Sequence, residues 1–185
     1  NSRSRQATYE QKYILGKTLQ FHFSFWTTGG AHPFSSEKAL AILQSEGLKG
    51  IDVVWNMLAS EKESNLEIAD FCTSLKANDF FRKVVVTYDN LSLAQKTVLL
   101  VYGSTRQWAE VKPLVWSSVQ SNLPTRAAAF YALPYWVSVT DFDIIAGKLS
   151  DATLASEVKS LQQAMTAITK QDGTLNSKIT AFALK

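Results

Sequence analysis

Ser64-Asn65-Leu66-Glu67-Ile68-Ala69-Asp70-Phe71-Cys72-Thr73-Ser74-Leu75 sets the fold class of this 185-residue chain. A serine followed three residues later by glutamate is a capping box, in which each side chain satisfies a backbone amide that the first helical turn leaves without a partner. Behind the box, Ile68, Phe71, Cys72 and Leu75 recur at helical spacing and make one face apolar. Ser92-Leu93-Ala94-Gln95 repeats the signature and runs through Val98, Leu99, Val101 and Tyr102 to an expected stop at Gly103. Ser104-Thr105-Arg106-Gln107 reads as a third box, opening a segment with Trp108, Val111, Val115 and Val119 that Pro113 kinks or divides.

The same grammar extends in both directions. Toward the C-terminus, Pro124 and Thr125 precede an alanine-rich helical stretch that Pro134 ends, and Tyr135 to Thr140 reads as a short strand or a buried turn. Asp151 is placed as the cap of a long helix whose seam is Leu154, Val158, Leu161, Met165 and Ile168, ending at Asp172-Gly173. An amphipathic stretch from Asn176 closes the chain. Toward the N-terminus, Ile51, Val54, Trp55 and Leu58 are helically spaced, and a capped helix is expected from Ser35 to Gly47.

Two stretches carry a β signal. Leu19, Phe21, Phe23 and Phe25 alternate with Gln20, His22 and Ser24, the period of two that a half-buried strand requires, so a short β element is expected at residues 18–28. Arg82 to Tyr88 holds the β-branched run Val84-Val85-Val86, but Phe80, Val84 and Tyr88 also fit a helix, and both readings stand. The expected fold is mainly α: one compact domain over residues 13–185 with roughly six to eight helices, preceded by a flexible basic arm at residues 1–12.

With 46% apolar and 19% charged residues, the composition is that of a protein able to bury a core. Cys72 is the single cysteine, so no internal disulfide and no cysteine-rich zinc site is available, which points to a reducing, intracellular (cytoplasmic) protein that is not secreted. No apolar run reaches the roughly 18 residues of a membrane span, so no membrane partner is expected. Asn90-Leu91-Ser92 fits a glycosylation sequon, a pattern short enough to arise by chance.

Catalytic signatures are sparse. His22 and His32 lie beside no nucleophile elbow, and Cys72 sits on an apolar helix face, where a core role is expected. Asp141 and Asp143 flank Phe142 in a spacing open to cation binding or paired-acid chemistry, yet no further His or acid adjoins them, and a turn or capping role is favoured. No phosphate loop or dinucleotide fingerprint occurs, and no cofactor or metal is implied.

Charge is what remains. Net charge is +3 over residues 1–17, −4 over 18–81, +4 over 82–140 and balanced over 141–185. Arg82, Lys83, Lys96, Arg106, Lys112 and Arg126 come from successive segments with the rings of Tyr88, Tyr102 and Trp108 between them, residue types that neutralise phosphates and stack on unpaired bases; Arg3 and Arg5 add to them from the arm. The expected partner is single-stranded nucleic acid, RNA ahead of DNA, bound by a non-enzymatic protein that self-associates through its acidic and basic segments. Helical domains with exchangeable arms around a basic groove are the general build of capsid and nucleocapsid subunits, an analogy of architecture alone. A helical protein-interaction or regulatory module is one alternative, and a small enzyme using His22, His32 or the Asp141–Asp143 pair is another.

Overall fold

A computed structural model describes residues 51–183 apart from 53, 54, 57, 60, 61, 63 and 65. The described residues are mainly helical, and no strand occurs among them. The arm, the alternating stretch 18–28 and the helix expected after Ser35 lie outside the described residues. The chain divides into two compact units at Leu99 and Leu100.

In the first unit, residues 51, 52, 55, 56 and 58 are helical and are followed by α1 (Leu66–Thr73) and α2 (Asn78–Val84). A 3-10 turn, Val85–Asn90, joins α2 to α3 (Leu93–Thr105). The open question at 82–88 resolves as helix and turn. Phe81 and Val85, four residues apart, are buried while Val86 is 83% exposed, so the helical period governs this β-branched run. The rings of Trp55, Phe80 and Phe81 meet edge to face, with centroids 5.4–5.8 Å apart, and hold α2 against the helical segment before α1.

The capping box at the start of α3 forms as the sequence predicts. Ser92 Oγ accepts the Gln95 N–H at 3.1 Å, and Gln95 Oε1 accepts the Ser92 N–H at 3.0 Å. Both side chains also reach back along the chain, Ser92 Oγ donating to the Leu58 carbonyl at 2.6 Å and Gln95 Nε2 to that of Trp55 at 3.0 Å. One pair of residues thereby starts a helix and docks it. Ser64 Oγ lies 2.9 Å from Thr97 Oγ1, so that hydroxyl ties the start of α1 to α3.

The second unit holds the end of α3 together with α4 (Lys112–Gln120), α5 (Arg126–Ala132), α6 (Phe142–Asp151), α7 (Ala155–Gln171) and α8 (Asn176–Ala183). α7 is its spine, packing against α5, α6 and the 3-10 turn Leu133–Tyr135. Leu161, Ala164, Met165 and Ile168 are buried along one stripe, and each large side chain there stabilises the fold by about 1.5–3 kcal/mol. Ala128, Ala129 and Ala132 are fully buried on α5, small enough to bring its backbone close to α4 and α7.

Two boundaries differ from expectation. α3 does not stop at Gly103 but continues to Thr105 and closes in a Schellman motif, with the Trp108 N–H on the Gly103 carbonyl at 2.9 Å and the Gln107 N–H on that of Ser104 at 3.0 Å. Gln107 takes the left-handed position there, at φ 53°. The expected third capping box is therefore a helix end, and Ser104 is buried inside α3, its hydroxyl accepting Trp136 Nε1–H at 2.7 Å. A Cβ on Gly103 would sit 2.5 Å from Val111 Cγ2, so the close return of the chain after the turn requires glycine. Asp151 is the last residue of α6 rather than the cap of α7, which starts after Leu154. Leu154 is consequently outside the seam and 60% exposed.

Pro113 lies in the first turn of α4, where its missing N–H leaves no hydrogen bond unmade, so the segment is divided rather than kinked. Tyr135 to Thr140 forms turns, not a strand. Asp172 opens the turn into α8 by accepting the Thr174 hydroxyl at 2.7 Å and N–H at 3.0 Å, which holds its pKa below the ordinary aspartate value.

Candidate nucleic-acid interface

Arg3 and Arg5 lie outside the described residues. In the first unit, Arg82 and Lys83 occupy the last turn of α2, both exposed, where cations complement the negative end of the helix dipole. Lys96 projects from α3 with Nζ 5.4 Å from the centre of the half-buried Tyr88 ring, a cation–π contact.

The other candidates belong to the second unit, and its two rings depart from expectation. Tyr102 is fully buried and Trp108 is 4% exposed; the rings pack 5.5 Å apart, tilted by 55°. Arg106 covers Tyr102, with Cζ 3.8 Å from the ring centre. A ring held in the core cannot stack on a base, so Tyr102 and Trp108 are structural here. Lys112 is exposed at the start of α4.

Arg126 also departs from expectation. Its Nε and Nη2 donate to Glu157 Oε1 and Oε2 at 2.7 and 3.3 Å, and Nη1 donates to the Val119 and Ser121 carbonyls at 3.1 and 3.3 Å. A guanidinium has five N–H donors, and these contacts occupy four. The bond to Glu157 raises the pKa of a group already charged at any ordinary pH. Arg126 thus holds the end of α4 to α7 and has little left to offer a phosphate.

The remaining chemical candidates are placed as follows. Asp141 Oδ2 accepts the Ser138 N–H at 2.8 Å and the Ser138 hydroxyl at 3.1 Å, the capping role favoured from the sequence, while Asp143 is exposed. Cys72 is buried and its thiol is pushed up to about 12 by burial, so it is not a thiolate near neutral pH. His22 and His32 lie outside the described residues. Among the described residues no three His, Cys, Asp or Glu side chains gather as a metal cluster, and no helix is long and apolar enough to cross a membrane.

A cleft of about 520 Å³ lies in the second unit where the ends of α4 and α6 meet the starts of α5 and α7. Arg126, Phe130, Lys148, Asp151, Leu154 and Glu157 are on its walls. No single stretch of sequence announces it, because its parts come from four helix ends; the one local signal is Lys148 and Asp151 three residues apart. No family model, curated protein or solved structure matches the chain.

Proposed function

We propose that this is a non-enzymatic, self-associating protein that binds single-stranded nucleic acid, RNA ahead of DNA, through its phosphates. The observation that carries the reading is the state of the cations between residues 82 and 112. Lys83 and Lys112 are exposed, Lys96 is half-buried, and none of the three has a carboxylate partner among the described residues. Arg82 is exposed in the same stretch, and Arg106 lies over the Tyr102 ring. Because Tyr102 and Trp108 are core residues, affinity rests on charge neutralisation and is indifferent to base identity. Complementary charge on segments 18–81 and 82–140 supports head-to-tail association, the arrangement that generates rings or filaments of a capsid or nucleocapsid kind.

Fluorescence anisotropy with labelled oligouridylate and oligothymidylate tests this reading. Log affinity should fall linearly with log salt, with a slope of about −0.7 for each phosphate neutralised. The triple variant Arg82→Glu, Lys83→Glu, Lys112→Glu should bind at least about tenfold more weakly and with a shallower slope. Binding that is absent, or that ignores salt, would remove the proposal.

A further inference from the structure

The cleft between the helix ends of the second unit has a charge arrangement that suits a different ligand from a polyanion. Of its four charged side chains, Arg126 and Glu157 neutralise each other on one wall. Lys148 and Asp151, on the last turn of α6, form no ion pair with each other or with any other described residue. Lys148 Nζ makes one long contact, 3.5 Å to the Val119 carbonyl, leaving two of its three N–H donors for a ligand. Positions three apart on a helix set their Cβ atoms about 5–6 Å apart, a spacing that a small molecule bearing both charges can bridge. Asp151 opposes entry of a phosphate, and Lys148 opposes entry of a simple cation.

The walls add a second requirement. Leu154 is 60% exposed at the edge of the cleft, next to Ala152, and Phe130 lies among the lining side chains beneath the Arg126 guanidinium, 4.7 Å from it. An exposed leucine beside two opposite charges that do not pair with each other is complementary to a molecule with aliphatic carbon next to its ammonium and carboxylate groups. The volume is within the range of small-molecule sites, roughly 300–1,000 Å³.

We propose that this cleft binds a small aliphatic zwitterion, a free amino acid or a dipeptide, with its carboxylate at Lys148, its ammonium at Asp151 and its side chain over Leu154. This site is independent of the nucleic-acid surface. Backbone amide NMR shifts of the intact chain, titrated with leucine, valine, glycine and leucyl-glycine, test it. N-acetyl-leucine, leucinamide, inorganic phosphate and AMP serve as comparisons. Leucine or leucyl-glycine should move the amides of residues 120–122 and 151–157 in a saturable way at millimolar concentration, and whichever of the two binds more tightly identifies the source.

Each blocked derivative, and glycine, should bind at least about fivefold more weakly than leucine, since each lacks one charge or the aliphatic contact. Lys148→Met and Asp151→Asn, both near the surface, should weaken binding by a similar factor with the melting temperature held. Equal binding of blocked and free forms would overturn the proposal, as would no saturable shift with any zwitterion. Phosphate binding more tightly than leucine would make the cleft an anion site and overturn it equally.

Discussion

Trp108→Ala should destabilise the chain by about 3–5 kcal/mol, the usual cost of removing a fully enclosed tryptophan ring, read as a loss of the urea midpoint and of near-ultraviolet circular dichroism. The indole is 4% exposed, packs on Tyr102 and lies over Gly103, where its Cε3 would be 3.3 Å from an added Cβ. The backbone N–H of Trp108, which alanine keeps, closes the helix by bonding to the Gly103 carbonyl. The ring therefore couples the end of α3 to the turn that follows. Against a typical total stability of about 5–15 kcal/mol, such a loss is large enough to unfold a marginal protein.

The same substitution separates two roles for the residue. A base-stacking tryptophan would lose about 1–3 kcal/mol of binding on truncation and little stability. A core tryptophan loses stability, while under the proposed function the molecules that remain folded should keep their affinity for RNA. Trp108→Phe, which keeps a ring in the cavity, should recover much of the stability. A destabilisation below about 1 kcal/mol for Trp108→Ala would contradict the core assignment.

Arg126→Met should cost about 2–3 kcal/mol, smaller than the loss for a fully buried pair because the Arg126 side chain is 32% exposed. Methionine keeps the aliphatic stem over Phe130 but leaves the Glu157 carboxylate, whose side chain is only 12% exposed, without its bidentate partner. The Val119 and Ser121 carbonyls at the end of α4 lose a donor as well. Glu157→Gln added to Arg126→Met should restore part of the loss, because a neutral amide tolerates the site better than an unpaired charge. Chemical denaturation of the two single variants and the double variant gives the coupling energy directly. Coupling near zero would mean that the pair contributes nothing. RNA affinity should hardly change in Arg126→Met, since four of the five guanidinium donors are already engaged inside the protein.

Several helices were legible in the sequence from a cap or from an apolar face. The Ser92–Gln95 box and the buried stripe of Leu161, Met165 and Ile168 are examples, each a local pattern whose meaning survives folding. Ser104-Thr105-Arg106-Gln107 misleads because a serine three residues before a glutamine fits a helix end as well as a helix start. What separates them is the left-handed turn at Gln107, and no glycine stands there to announce it. α6 carried no sequence expectation, because its apolar face is short, Phe142, Ile145 and Ala146, and Gly147 follows it directly.

The candidate site was half legible for a related reason. Charge can be summed from sequence, and Arg82, Lys83 and Lys112 are at the surface as their type suggests. Whether an aromatic side chain stacks on a ligand or fills the core depends on which way it points, and Tyr102 and Trp108 point inward. Arg126 shows the same limit for a cation, since its partner Glu157 is 31 residues away. The cleft was invisible because no single segment carries it.

The most direct measurement is size-exclusion chromatography with light scattering and absorbance at two wavelengths, one dominated by nucleic acid and one by protein, on material purified at low salt without nuclease. Large particles rich in nucleic-acid absorbance that dissociate at high salt are the predicted result, because both phosphate binding and head-to-tail association weaken as charge is screened. A monomer free of nucleic acid at low salt, unchanged when single-stranded RNA is added, would contradict the account.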